Sequence, residues 1–177
     1  LTSWKEKYNA ILEKRIENYL QCPLKYKNGD AFIQYCRTHR HLLQNRPQTF
    51  RHGDYHIGNL ILDNQNMVSI IDFGLSDYGD PWEEFNRIIW TAQKSPMLAT
   101  GMINGYFNNC IPNEFWELLV LYLYSKALYA LPWSLAYGEE ETNIIINQSF
   151  EIFEWYGGMK EIIPSWYNNS ITRLSNL

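Results

Sequence analysis

Cysteine is scarce in this chain: Cys22, Cys36 and Cys110 are the three among 177 residues. An odd, widely scattered set does not form a closed disulfide framework, and no two have metal-knuckle spacing. They read as reduced thiols, which places the chain in the cytoplasm. A basic excess is missing as well. Lysine and arginine total 15 against 19 aspartate and glutamate, for a formal net charge of -4. General nucleic-acid binding needs a basic face, so that class is set aside. No uninterrupted apolar run has the length of a membrane span. The richest stretch, Phe115 to Leu135, is interrupted by Glu117, Ser125, Lys126 and Ser134 and reads as a buried helix. No signal peptide is visible. Glycine is sparse too, at ten residues, and no glycine-rich nucleotide loop or strand lysine precedes the middle of the chain.

What is present is a large apolar inventory. The hydrophobic fraction is 46% and the aromatic fraction 16%, which excludes a disordered chain. The length suits one domain with a sizeable core. Tyr8, Ile11, Leu12, Ile16, Tyr19 and Leu20 recur at helical spacing, and Asp30 is placed to cap a second helix carrying Phe32, Ile33 and Cys36. Residues 1–47 therefore read as two leading helices. Gln48 to Arg51 is a very short strand or an extended approach. Asn59 to Leu62 and Met67 to Ile71 flank Asp63-Asn64-Gln65-Asn66, which has turn chemistry, so they predict a hairpin. Gly79-Asp80-Pro81 is a further turn that opens a helix over roughly Trp82 to Gln93, with Glu83 and Glu84 favourable near its start. Further helices are expected over Leu98 to Asn108, from Pro112 to about Leu131, and over Asn143 to Tyr156. The simplest partition is one domain: leading helices (1–47), loops with the chemistry (48–80) and a helical remainder (81–177).

The middle of the chain carries the chemistry. Arg51-His52-Gly53-Asp54-Tyr55-His56-Ile57-Gly58-Asn59 is followed by Ile71-Asp72-Phe73-Gly74. A hairpin between them brings Asn59 and Asp72 together. Phosphoryl transfer needs a positioned hydroxyl, an acceptor for its proton and oxygen ligands for a magnesium ion that grips phosphates. Asp54 is the candidate base, and Asn59 and Asp72 are the candidate metal ligands. Each alone is an ordinary turn or capping residue; the three in this order point to a phosphotransferase.

This region resembles the aminoglycoside phosphotransferase and choline kinase family, which has a protein-kinase-like fold. The resemblance rests on Phe50 to Leu62, Ile70 to Gly74 and Gly79-Asp80-Pro81. It implies a catalytic Asp54 and a loop-bracing His52, with Mg²⁺ and the phosphates of ATP or GTP on Asn59 and Asp72. His56 takes a phosphate-side or loop-organising role. Asp80 supports the site, and Glu84 forms a salt bridge or helix-start charge, with Arg87 as its partner. Lacking the glycine-rich loop and strand lysine, the chain is expected to be the C-terminal lobe alone: mainly α-helical with a small central antiparallel β-hairpin, without its N-terminal nucleotide-binding lobe. A start at Leu1 fits a fragment or excised domain, whose activity in isolation stays open, as does its oligomeric state.

The partner is then a small-molecule hydroxyl substrate. Acidic Asp77 and the Glu139-Glu140-Glu141 run suit a polyamine such as an aminoglycoside. Choline would need an aromatic cage, for which Tyr122, Tyr124, Tyr129, Trp133 and Tyr137 are candidates. A homoserine-type kinase, a noncatalytic kinase-like binding module, and a metal-dependent hydrolase using His52 and His56 are the competing readings.

Overall fold

A computed structural model describes residues 2–168 and shows six α-helices and four short strands among them. They gather into two compact units. The first combines Leu1–Arg46 with Pro112–Ser165, and the second combines Pro47–Ile111 with Trp166–Leu177.

The first unit is helical. Helix α1 (Trp4–Gln21) begins at a reciprocal cap, in which the Ser3 hydroxyl accepts from the Glu6 amide and the Glu6 carboxylate accepts from the Ser3 amide. Its buried face is Trp4, Tyr8, Leu12, Ile16 and Tyr19. Ile11 and Leu20 share the apolar spacing but point to solvent. Helix α2 (Gly29–Thr38) starts at Asn28, without a side-chain cap. Asp30 lies inside its first turn, where its charge favours the helix start. Numbering continues with α5 (Asn113–Ser134), which packs against α1, α2 and α6 (Glu139–Trp155). Contacted from several sides, α5 is apolar on every face. It is long and apolar enough to cross a membrane, but most of it is buried within the protein, as in a core helix. Trp4 Nε1 donates to the Tyr122 hydroxyl at 2.8 Å, and Phe32 stacks on Tyr124 at 4.3 Å between centroids. Pro132 sits in the last turn of α5.

The second unit holds both sheets. Strand β1 (Thr49–Arg51) pairs antiparallel with β4 (Asp77–Gly79), and β2 (Leu60–Leu62) with β3 (Val68–Ile70). The β2–β3 hairpin matches expectation. The β1–β4 ribbon does not: Asp77-Tyr78-Gly79 has turn-like composition and too few residues to show a period. Its pairing comes from across the ribbon, where Arg51 faces Asp77 in register and binds it. The fold is thus mainly helical with two small sheets, consistent with a kinase-like fold. After β4, Asp80 accepts from the Trp82 amide and opens a 3₁₀ turn, Pro81–Arg87, before α3 (Ile88–Lys94) and α4 (Pro96–Tyr106). A continuous helix from Trp82 was expected.

Candidate active site

Residues 51–91 build the site within the second unit. Its foundation is Arg51, at the end of β1 and only 7% exposed. Burial alone would disfavour its charge, but Glu83 and Asp77 together outweigh that and raise its proton affinity. The guanidinium binds Asp77 through Nε (3.0 Å) and Nη2 (2.6 Å) and binds Glu83 through Nη1. Asp77 is therefore engaged by Arg51, with half of its side chain still open to solvent.

Glu84 fixes the next two residues. Its carboxylate accepts from the His52 amide at 2.7 Å and the Gly53 amide at 2.9 Å. Burial raises its pKa, against the pull of those two amides. The expected Glu84–Arg87 pair does not form, because both oxygens of Glu84 serve the loop backbone.

His52 ties the loop to the end of β3. Its Nδ1 accepts from the Asp54 amide at 3.1 Å, so Nε2 carries the proton donated to the Ile71 carbonyl at 2.8 Å. Gly53 has φ +79°, and a β-carbon there would lie 2.1 Å from the Leu75 carbonyl oxygen. Only glycine fits both conditions.

Asp54 follows, with 18% of its side chain exposed. Oδ1 lies 2.7 Å from Arg87 Nε, an ion-pair distance without the alignment of a directed hydrogen bond. Oδ2 lies 3.3 Å from Asn59 Nδ2, which donates more closely, at 2.8 Å, to the Asp54 carbonyl. His56 Nε2 is 3.7 Å from Oδ1. Burial lowers the His56 pKa against the pull of Asp54, which disfavours a charged bridge at this contact. Its Nδ1 accepts from the Gly58 amide, and its ring meets Trp90 edge-on at 4.7 Å. The buried Thr91 hydroxyl accepts from the Ile57 amide and secures the far side of the loop.

The hairpin closes the arrangement. The Ile71 amide donates to the Asn59 carbonyl at 3.0 Å, one residue before Asp72. Asp72 is left-handed (φ 64°, ψ 65°), a conformation aspartate tolerates better than most residues, and its side chain is exposed. Asp80 is fully buried at its cap. The acidic run lies in the first unit instead: Glu139, Glu140 and Glu141 form the first turn of α6, with Glu139 and Glu140 exposed.

The model of the phosphotransferase enzyme family (APH) matches residues 2–117. The chain belongs to that family. No curated protein and no solved structure matches it. A phosphotransferase-type enzymatic function follows from the family. One expectation is overturned: the match takes in the leading helices and the whole β-strand region, which argues against a C-terminal lobe alone.

Magnesium is the metal that this phosphotransferase chemistry implies, and the residues fit it. Asn59 commits its amide nitrogen to Asp54, leaving the oxygen as its available donor. Asp72 offers an exposed carboxylate that makes no hydrogen bond to the described residues. Both are hard oxygen donors. Magnesium commonly takes only one or two protein ligands and fills its shell with water and phosphate. Among the described residues, no group of three or more histidine, cysteine or acidic side chains is placed to hold a metal ion. His52 spends both ring nitrogens inside the protein, which removes it from a zinc-hydrolase site.

Proposed function

We propose that this phosphotransferase moves the terminal phosphoryl group of ATP or GTP onto a hydroxyl of a small molecule, an aminoglycoside being the favoured acceptor. The observation that supports this most is the holding of Asp54 from three sides: its backbone by His52, its carbonyl by Asn59 and its Oδ1 by Arg87. A carboxylate so positioned accepts the hydroxyl proton as the hydroxyl oxygen bonds to the terminal phosphorus. The bond from that phosphorus to the bridging oxygen breaks, and the nucleoside diphosphate leaves with the electron pair. Asn59 and Asp72 would hold Mg²⁺, which when bound neutralises phosphate charge. His56 would stand beside the phosphates.

For the acceptor, two observations favour a polyamine over choline. Of the five aromatic candidates for a choline cage, Tyr122 and Tyr124 are fully buried in the first unit, which leaves Tyr129, Trp133 and Tyr137 exposed. Asp77, in the same unit as Asp54, keeps half of its side chain open to solvent, and the chain is acidic overall. The test is phosphorylation of a panel (kanamycin, neomycin, choline, homoserine) with Mg²⁺ and either nucleotide, followed by mass spectrometry. A gain of one phosphate on an aminoglycoside is expected. Transfer to choline or homoserine alone would reject the acceptor assignment, and transfer to none would reject the small-molecule reading.

A further inference from the structure

We propose that Arg87 contacts the transferring phosphoryl group directly, as a cation supplied by the turn after Gly79-Asp80-Pro81. The proposal rests on the reading of Asp54 as the base. Arg87 is 13% exposed, and its Nε lies 2.7 Å from Asp54 Oδ1. The guanidinium also lies over the Trp90 ring, with Cζ 5.1 Å from the ring centroid. Only one edge of the fork is used. Nη1 and Nη2 make no hydrogen bond to the described residues, so two of the three nitrogens keep their donors.

The direction of those donors follows from what Asp54 does. The acceptor oxygen must sit within hydrogen-bond reach of the Asp54 carboxylate and roughly 3–3.5 Å from the phosphorus in a reactive pose. A rigid guanidinium touching that carboxylate is therefore beside the phosphoryl oxygens. Planar, fixed donors are the form of cation best suited to phosphate. If Arg87 served only to neutralise Asp54, a directed hydrogen bond to Oδ1 would be the natural geometry. The contact instead lacks that alignment, while the outer nitrogens stay unspent.

Calorimetric titration tests this without an acceptor, using Mg·ADP and the nonhydrolysable analogue Mg·AMP-PNP on the full chain. Arg87→Gln should weaken the analogue about tenfold and leave ADP within about twofold. Arg87→Lys, which keeps charge but loses the fork, should fall between. Thermal melting checks that each variant is folded, and if Arg87→Gln does not fold, Arg87→Lys carries the comparison. Equal weakening for both nucleotides, or none for either, overturns the proposal. A wild-type protein that binds neither nucleotide defeats the phosphotransferase reading of the site, and the proposal with it. Wild-type binding without discrimination in the variants defeats the Arg87 proposal alone.

Discussion

His52 shows how a side chain can act on chemistry without touching a reactant. One ring nitrogen holds the Asp54 amide and the other the Ile71 carbonyl, so one imidazole sets the spacing between the proposed base and the residue before Asp72. His52→Ala removes both partners and leaves two backbone groups unpaired in a largely buried place. Urea unfolding should show a loss of about 2–4 kcal/mol. A loss under about 0.5 kcal/mol would mean the loop is held by other contacts. Much of this scale was legible in the sequence, since His-Gly-Asp and Asp-Phe-Gly name their residues by order and spacing. The partners were less legible. Arg87 is three residues from Glu84 and reads as its helical partner, but the intervening turn is 3₁₀ and Glu84 faces the loop. Arg51 carried a faint signal, as a basic residue directly before the motif. Thr91 carried none.

At the scale of elements, the Pro81–Arg87 turn does more than start a helix. Glu83 binds Arg51 of β1, Glu84 binds two loop amides, and Arg87 meets Asp54. Sequence patterning assigns Glu83 and Glu84 to the helix start, because a charge near a helix terminus is the commoner use of such residues. The pairing of β1 with β4 was hidden for a related reason. Three-residue strands have no readable alternation, and their register is set by partners distant in sequence. Glu84 also yields a pH dependence. Its folded pKa is raised by burial above the ordinary glutamate value. The folded state therefore holds that proton more tightly than the unfolded state does. The associated stability is full below the unfolded pKa and is lost as pH rises through the folded one. Glu84→Gln removes this titration, so melting scans should show wild-type stability falling relative to the variant across that window. A constant difference between the two would contradict the account.

For the whole molecule, helix count and the hydrophobic centre were readable, and the division into units was not. Helix α5 announced itself by apolar residues on every face, and it is the core of the first unit. The two units each join segments distant in sequence, a topology that local composition does not encode. Burial within a helix was readable only in part. Leu20 fits the α1 pattern yet is 52% exposed, whereas Leu121 in α5 is fully buried. Leu121→Ala should cost about 2–5 kcal/mol in chemical unfolding, and Leu20→Ala less than about 0.5 kcal/mol. Similar losses at both positions would contradict the assigned core.

The central claim is that Asp54 takes the acceptor's proton. Single-turnover transfer from Mg·ATP to the acceptor found in the panel, compared between wild type and Asp54→Asn, tests it most directly. The account predicts a rate about a thousandfold lower in the variant, with nucleotide affinity and melting temperature little changed. A variant that transfers phosphate within about tenfold of wild type would contradict it.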